Sequence, residues 1–182
     1  ILFKAIVERS LRATGHVVTV SQSMKREILE FFPEIPISVI YNGIDSAAYD
    51  CISAADVIAV REKLSLPSEF ILSVGHIEKR KNYPRLVEAV ALLRERGVSI
   101  PLIIIGNDSG ERRSIEKSIK AANLSGQVRI FSGLTNLEVC CTYKLCSLFA
   151  FPSSYEGFGI PILEAMAAGC PMVLSDIPVF RE

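Results

Sequence analysis

Two acidic residues flank a glycine-rich loop in the last third of the chain. Glu156 and Glu164 are separated by seven residues, and the loop Gly157-Phe158-Gly159 lies between them, directly before Ile160 and Pro161. An apolar run precedes the loop and a helical pattern follows it. Unpaired backbone N–H groups therefore meet at the positive end of a helix, which predicts a phosphate-binding loop. The alternative is structural: Glu156 and Glu164, the latter in the predicted first helical turn, would only stabilise the helix through its dipole.

A second polar cluster follows an earlier apolar run. Gly75 and His76 lead into three consecutive cations, Lys79, Arg80 and Lys81. Lysine offers a point charge and arginine a bidentate contact, so this loop could neutralise a diphosphate. The structural alternative is a solvated charge run, which is what most such runs are. Taken singly, His76 fits a structural role better than a catalytic one.

The elements that must position these loops alternate along the chain. Short apolar runs, nearly continuous in hydrophobicity, predict strands at 16–20, 37–41, 70–74, 101–105, 128–131, 148–151 and 171–174. Longer amphipathic runs predict helices at 22–32, 54–64, 83–96, 111–122, 135–146 and 161–168. This rhythm indicates an α/β fold with a Rossmann-like parallel sheet and crossover helices. Both polar clusters then lie at the carboxyl edge of the sheet, where such folds bind ligands.

Turn-forming residues at 41–50 interrupt the rhythm, and no strand follows them at the usual distance. We therefore expect a domain boundary there, with residues 1–48 ending one domain and residues 49–182 forming most of a second. The chain lacks an initiator Met and ends shortly after a predicted strand, so we also expect a fragment of a longer protein.

Composition excludes several classes of function. Of 182 residues, 49% are hydrophobic, which rules out a disordered chain. The balance of 20 basic and 20 acidic residues argues against a nucleic-acid partner, which would favour a basic excess. Apolar runs are far shorter than the roughly 20 residues of a membrane span. The five cysteines show no metal-ligand spacing, so we predict no metal site and expect buried thiols in a reducing compartment.

Several segments in order resemble the retaining GT-B glycosyltransferases of family 4, also called group 1. Glu156 and Glu164 match the two acids of that family's E-x7-E signature, and the loop at 74–82 is similar to those of mannosyltransferases in bacterial lipopolysaccharide and other surface-polysaccharide assembly. The other matching segments are 20–25, 41–45, 105–106, 131–134 and 152–171. The resemblance implies that 1–48 ends the N-terminal, acceptor-side domain and its linker. It implies that 49–182 is the C-terminal, donor-binding domain, truncated at its C-terminus.

The resemblance also implies roles for individual residues. Glu156 matches the catalytic-site acid that binds hydroxyls of the transferred sugar, and Glu164 matches the acid that holds the donor ribose. Lys81 matches the phosphate-binding lysine, with Arg80 sharing that charge. The remaining expected donor-binding residues are Phe158, Gly159 and Ile160 at the diphosphate and sugar, Phe131, Gly133 and Leu134 at the base, and Gly75 and His76. Many members carry Arg where this chain has His76.

The implied activity is transfer of a hexose, preferably mannose, from a nucleotide diphosphate sugar to a glycan or lipid-linked acceptor with retention. The donor would be GDP-mannose or another sugar nucleotide such as a UDP-hexose, with no metal or other cofactor. The expected location is the cytoplasm, with peripheral membrane association through the N-terminal domain as one option. The fragment alone is expected to be inactive.

Two alternatives stay open, a non-catalytic sugar-nucleotide binding module and a sugar-nucleotide epimerase on the same fold. A dinucleotide oxidoreductase is disfavoured because no G-x-G-x-x-G follows any predicted strand.

Overall fold

A computed structural model describes residues 2–182, except for the side chains of residues 2–5 and 12. Its strands are β1 (Val17–Thr19), β2 (Ile37–Val39), β3 (Ile71–Val74), β4 (Leu102–Ile105), β5 (Val128–Phe131), β6 (Leu148–Phe151) and β7 (Met172–Leu174). Its helices are α1 (Leu2–Ala13), α2 (Gln22–Phe31), α3 (Ala47–Asp50), α4 (Ala54–Lys63), α5 (Tyr83–Glu95), α6 (Arg112–Ala121), α7 (Asn136–Leu145), α8 (Ile160–Ala167) and α9 (Pro178–Arg181). A 3₁₀ turn spans Lys79–Lys81.

The described chain divides into two compact units. The smaller unit holds the chain up to Gly43 together with Glu156–Gly159 and Asp176–Glu182. The larger unit holds Ile44–Tyr155 and Ile160–Ser175. A division by contacts does not assign either unit to a half of a larger fold, so the division at residues 48 and 49 stays a prediction.

The larger unit is built on a parallel sheet with the strand order β5-β4-β3-β6-β7. Ile71 of β3 pairs with Leu102 of β4 and with Leu148 of β6, so β3 is central. The chain moves outward from β3 to β5 and then returns to place β6 on the other side of β3. The switch in direction leaves a crevice between the carboxyl ends of β3 and β6.

Both faces of this sheet are covered, which explains why its strands lack apolar–polar alternation. On one face α5 packs against α6, and a buried cluster joins Val87 and Val90 of α5 to Ile104 and Ala150 of the sheet. Helices α4 and α7 pack together, and α7 also contacts α8. The ring of Phe149, on β6, lies 5.4 Å from an α7 tyrosine ring. The sheet is therefore held between two helical layers, as the fold prediction requires.

The smaller unit contains a two-stranded parallel sheet, β1 with β2, and α2 connects the two strands. The side chain of Ser21 caps α2 by accepting a hydrogen bond from the Met24 N–H (3.1 Å). The carboxylate of Glu182 accepts two more from the Gln22 and Ser23 N–H groups (2.6 and 2.9 Å). Three N–H groups at the start of α2 are thus satisfied by side chains.

The predicted strands and helices exist, with ends that shift by one or two residues. Helix α8 begins at Ile160, one residue before its predicted start, because Pro161 is accepted at the second helical position as well as the first. Glu164 is consequently its fifth residue, and no acid occupies the first turn. The prediction of Glu164 as a first-turn charge is therefore wrong. Helix α1, α3, α9 and the 3₁₀ turn were not among the predicted elements.

Candidate functional site

The candidate site of the larger unit lies where β3 and β6 end. The loop after β3 carries Gly75, His76 and the 3₁₀ turn with Arg80 and Lys81, and the loop after β6 carries Ser153 to Tyr155. These two loops are hydrogen-bonded to each other. The Ser154 N–H donates to the Arg80 carbonyl (2.8 Å), and Arg80 Nη1 donates to the Tyr155 carbonyl (3.2 Å). Two loops that are distant in sequence thus form one rim of the crevice.

The loop after β3 approaches the loop after β4 backbone to backbone. A Cβ on Gly106 would lie 1.9 Å from the Gly75 carbonyl oxygen, a distance so short that only glycine fits at this position. The Gly75 N–H donates to the Ile105 carbonyl (2.9 Å), and the Tyr83 hydroxyl donates to the Gly75 carbonyl (2.7 Å). Gly106 therefore allows the loops after β3 and β4 to approach closely. The Tyr83 hydrogen bond fixes the position of Gly75 at the start of the cationic loop.

The three consecutive cations have three different environments. Lys79 is exposed, and Arg80 is half-buried with its guanidinium 2.6 Å from the Glu78 carboxylate. Lys81 is only 5% exposed, and its Nζ lies 4.6 Å from the centroid of the Phe151 ring at the end of β6. A buried cation at a sheet edge is rare unless it has partners or a ligand. The alternative of a uniformly solvated charge run is therefore excluded for Lys81.

A cavity of about 600 Å³ opens beside Arg80 and Ser154. The starts of α5 and α6 line its other side, with Pro84 and Ser114. This volume is in the range of small-molecule sites.

A buried tyrosine donates a hydrogen bond to Glu164. The hydroxyl of Tyr143, in the last turn of α7, donates to Glu164 Oε2 (2.9 Å). Burial and the neighbouring Glu164 charge raise the pKa of Tyr143 well above its ordinary value, so its hydroxyl keeps the proton. Among the residues that the structure describes, no second donor reaches the Glu164 carboxylate. The side chain is half-buried, so it retains acceptor capacity for a ligand.

The loop between the two acids belongs to the smaller unit. Glu156 is 8% exposed, and Gly159 is buried with φ +110°, a conformation that favours glycine. The Ser21 hydroxyl donates to the Gly157 carbonyl (2.8 Å), and the Phe158 ring lies 6.2 Å from that of Tyr41. Glu156 and Glu164 thus fall in different compact units.

The other predicted donor-binding residues occupy the same edge of the larger unit. Phe131 ends β5, where the Arg129 guanidinium lies 4.8 Å from its ring centroid. The Phe131 carbonyl accepts from the Gly106 N–H (2.9 Å), which ties the ends of β4 and β5 together. Gly133 and Leu134 follow Phe131 in the sequence after Ser132. His76 and Ile160 are exposed.

The sequence analysis did not identify the two tyrosines whose hydroxyls bond residues of the site. Tyr83 and Tyr143 each lie in a helix and are 1% and 0% exposed, so their pattern in the sequence is that of core residues. Only the position of each hydroxyl in three dimensions reveals the contact, with Gly75 or with Glu164. The only signal in the sequence is that each position has a tyrosine, although phenylalanine would fill the same space in a core.

The cysteines are free, and only Cys141 has the predicted burial, while Cys51 is exposed and the other three are half-buried. In the described part of the chain, no group of three or more His, Cys, Asp and Glu side chains could hold a metal ion. None of the helices within residues 2–182 combines the length and apolarity that crossing a membrane requires.

Two family models match the chain. The model described as glycosyl transferases group 1 matches residues 56–182, and the model described as glycosyltransferase family 4 matches residues 1–48. The first alone covers more than half of the chain.

Two curated relatives are named as mannosyltransferases. The serotype-specific mannosyltransferase WbdA of Escherichia coli is 36% identical over 176 residues, which are 91% of this chain and 21% of the relative. The O-antigen chain mannosyltransferase B of Escherichia coli is 31% identical over 180 residues, which are 97% of this chain and 47% of the relative. The chain thus spans between about a fifth and about half of the length of these relatives.

A solved structure shows the same fold. Alr3699/HepE of Anabaena, crystallised with UDP and glucose, superposes with a TM-score of 0.83 at 22% identity, over 98% of this chain and 49% of that one. The predicted fold class, a Rossmann-like parallel sheet of the GT-B kind, is confirmed.

Proposed function

The chain belongs to the group 1 glycosyltransferases, and from that premise we propose that it binds the nucleotide-sugar donor of a retaining mannosyltransferase. The observation that carries the proposal is the crevice between β3 and β6. There a loop with Arg80 and buried Lys81 is hydrogen-bonded to the loop that follows β6. Parallel α/β sheets bind nucleotides at such a switch point.

In this proposal the cations bind the diphosphate of the donor. Arg80 offers a forked donor and Lys81 a point charge, and both oppose the negative charge that grows on the leaving nucleotide. For Phe158, Gly159 and Ile160, a role of the backbone groups at the diphosphate and the sugar stays a prediction. Protein cations then perform the electrostatic task that a divalent metal performs in other transferases, so we propose a metal-independent reaction.

The two acids bind hydroxyl groups. We assign Glu164 to the ribose, because a carboxylate can accept from two adjacent hydroxyls and Tyr143 occupies only one of its oxygens. We assign Glu156 to the transferred sugar, whose hydroxyls it would orient for departure and attack on one face. Phe131, Gly133 and Leu134 would line the base, with Gly75 and His76 beside the phosphates.

We infer the proposed donor and acceptor from the names of the relatives. WbdA and the O-antigen chain mannosyltransferase B are named for mannosyl transfer, which favours GDP-mannose as donor and a growing polysaccharide as acceptor. Alr3699/HepE was crystallised with UDP-glucose, which favours a UDP-hexose as the second candidate donor. The cytoplasmic location and a peripheral membrane association stay predictions.

Calorimetric titration of the 182-residue chain with GDP-mannose, GDP, UDP-glucose and UDP tests the proposal. We expect saturable binding of the guanine pair at or below about 1 mM, with weaker binding of the uracil pair. The reverse order would replace the mannose assignment with the UDP-hexose one. No binding of any of the four would overturn the donor-site proposal.

Two neighbouring lysines give a matched control for the same titration. Lys81→Met removes the buried cation and keeps the length of the side chain, whereas Lys79→Met removes an exposed one. We expect the first to weaken GDP binding about tenfold and the second by less than about twofold. Equal losses would show that only the net charge of the loop matters, which would contradict the assignment of Lys81.

The alternative functions differ in their products. An epimerase would convert the sugar of GDP-mannose or UDP-glucose into its epimer without an acceptor, which proton NMR of the incubated donor would detect. A pure binding module would leave every donor and acceptor unchanged even when the chain is part of the longer protein.

A further inference from the structure

We infer that Tyr143 is a positioning residue that fixes the Glu164 carboxylate for the donor ribose. The inference rests on the proposed function, since it concerns how the same acid binds. Its one direct observation is the hydrogen bond from the Tyr143 hydroxyl to Glu164 Oε2 (2.9 Å).

The ring of Tyr143 is immobilised by the core. It is fully buried, with the Phe149 ring centroid 5.4 Å away on β6 and the Tyr49 ring centroid 6.5 Å away on α3. Its helix begins at a capping box in which Thr135 and Glu138 bond each other's backbone N–H, so the register of α7 is fixed at the other end. A ring in such a close-packed environment has one orientation.

The backbone of Tyr143 is held as well. The Cys170 Sγ lies 2.8 Å and the Cys146 Sγ 3.3 Å from its carbonyl oxygen, and both thiols donate to it. Cys170 follows α8 by only a few residues, so this contact and the Glu164 hydrogen bond tie the middle of α8 and the chain just after it to one residue of α7. The hydroxyl is therefore a fixed point against which α8 is aligned.

The hydroxyl can serve Glu164 only as a donor. A phenol carries one proton, and its burial beside an acid keeps that proton in place at neutral pH, as the raised pKa of Tyr143 indicates. The Pro161 carbonyl oxygen lies 3.3 Å from the same hydroxyl and shares the donor more weakly. One oxygen of the carboxylate is thus directed toward the interior, which leaves the other to accept from a ligand.

A fixed carboxylate binds vicinal hydroxyls better than a mobile one, because the entropy of ordering a glutamate side chain is lost before the ligand arrives. Without the hydroxyl, Glu164 would sample several rotamers. The affinity for a ribose should then fall, while contacts of the cationic loop with the phosphates should not change.

The test compares a ribose nucleotide with one that lacks the two hydroxyls. The ligands are GDP and 2′,3′-dideoxy-GDP, or the UDP pair if UDP binds more tightly, and dissociation constants are measured by calorimetry. For the unmodified chain we expect GDP to bind about tenfold more tightly than its dideoxy form. In Tyr143→Phe we expect this preference to shrink to about twofold, with the affinity for the dideoxy nucleotide unchanged.

The matched control is Tyr49→Phe. It removes a hydroxyl from the same aromatic cluster, but the hydroxyl that hydrogen-bonds Glu164 belongs to Tyr143 and not to Tyr49. We expect Tyr49→Phe to keep the full preference for GDP. Both variants retain their rings, and circular dichroism and a urea unfolding curve would confirm that each is folded. In a Glu164→Gln background, Tyr143→Phe should cause no further loss of the preference.

The outcomes separate the inference from the proposed function. If the unmodified chain binds both nucleotides equally, Glu164 does not hold the ribose and the proposed function is wrong at that point. If the unmodified chain prefers GDP and Tyr143→Phe keeps the preference, only the positioning role is wrong. If Tyr143→Phe weakens both nucleotides equally, its role is structural and the inference is overturned.

Discussion

Two glutamates of the larger unit lie at opposite ends of α7 and differ in how many hydrogen-bond donors their carboxylates receive. Glu138 lies in the first turn of α7 and receives the Lys63 ammonium (2.8 Å), the Thr135 N–H (2.6 Å) and the Thr135 hydroxyl (2.8 Å). Glu164 receives the Tyr143 hydroxyl of the last turn (2.9 Å), and within the described chain no second donor reaches it. The Glu138 carboxylate thus accepts from three donors, and the Glu164 carboxylate accepts from one.

The difference separates a structural acid from a binding acid. Three donors stabilise the ionised form of Glu138, and the hydrogen bond from Lys63, followed by those from Thr135, lowers its pKa to about 2. Both oxygens of Glu138 already accept donors from the protein, so a ligand hydroxyl would have to compete with these bonds. Glu164, oriented but incompletely satisfied, can accept from a ligand without losing an existing partner. We therefore expect Glu138 to affect folding and Glu164 to affect binding.

Replacing Glu138 should produce the largest effect of the series. Glu138→Ala removes the capping box and leaves Thr135 without its acceptor, so the free energy of unfolding at pH 7 should fall by about 2–3 kcal/mol. Urea unfolding followed by circular dichroism measures this. The nucleotide affinity of the folded variant should match that of the unmodified chain. A folded Glu138→Ala chain that binds nucleotide poorly would show that Glu138 is needed for binding as well as for folding.

Replacing Glu164 should act on binding instead. Glu164→Ala should weaken GDP binding by about 2 kcal/mol, roughly 30-fold, because a charged acceptor for the ribose hydroxyls is lost. Its unfolding free energy should change much less than that of Glu138→Ala, since Glu164 is half-buried with one partner. Calorimetry and urea unfolding on the same preparation give both numbers. An unchanged affinity would mean that Glu164 is a structural acid like Glu138.

The pH dependence of stability should distinguish the two acids further. Because the pKa of Glu138 is lowered on folding, its contribution is present above its ordinary value of 4.5 and disappears as the pH falls toward about 2. Glu138→Gln should therefore lose less stability than the unmodified chain on acidification, by about 2 kcal/mol between pH 5 and pH 3. Urea curves at the two pH values measure this. Parallel losses in both proteins would show that Glu138 is not the group responsible.

The smallest effect is expected for the partner of Glu138. Lys63 is 69% exposed, so its ion pair is screened by water and Lys63→Ala should cost only about 0.5 kcal/mol of unfolding free energy. A cost as large as that of Glu138→Ala would mean that the ion pair, rather than the Thr135 capping box, makes Glu138 structural. Thermal unfolding at low and at high salt would separate the two contributions.

The comparison also shows what could be predicted from the sequence. The β–α alternation predicted the parallel sheet, because strands buried on both faces have continuous apolar runs that are easy to recognise. It also predicted that the loops at Gly75 and at Ser153 share an edge. Helix α1 was missed although Ile6, Val7 and Leu11 have a helical spacing, since it lies before the first strand and outside the repeating pattern.

Partners within the site could not be predicted. Glu138 and Glu164 are both acids in helices, and nothing in their neighbours along the chain indicates that one meets a lysine 75 positions earlier and the other a tyrosine 21 positions earlier. The burial of Lys81 was equally hidden, because the sequence shows three cations in a row and the fold gives each a different environment. Such contacts depend on the crossing of α7, α8 and the sheet, which local patterns do not encode.

The central claim is that the carboxyl edge of the larger sheet binds a nucleoside diphosphate sugar through the cationic loop and Glu164. Amide chemical shifts of the isotope-labelled chain during titration with GDP-mannose test it most directly. We predict saturable shifts at Gly75 to Lys81 and around Glu164, with the amides around Glu138 unchanged. Shifts that spread evenly over the chain, or that occur around Glu138 and not around Glu164, would contradict the claim.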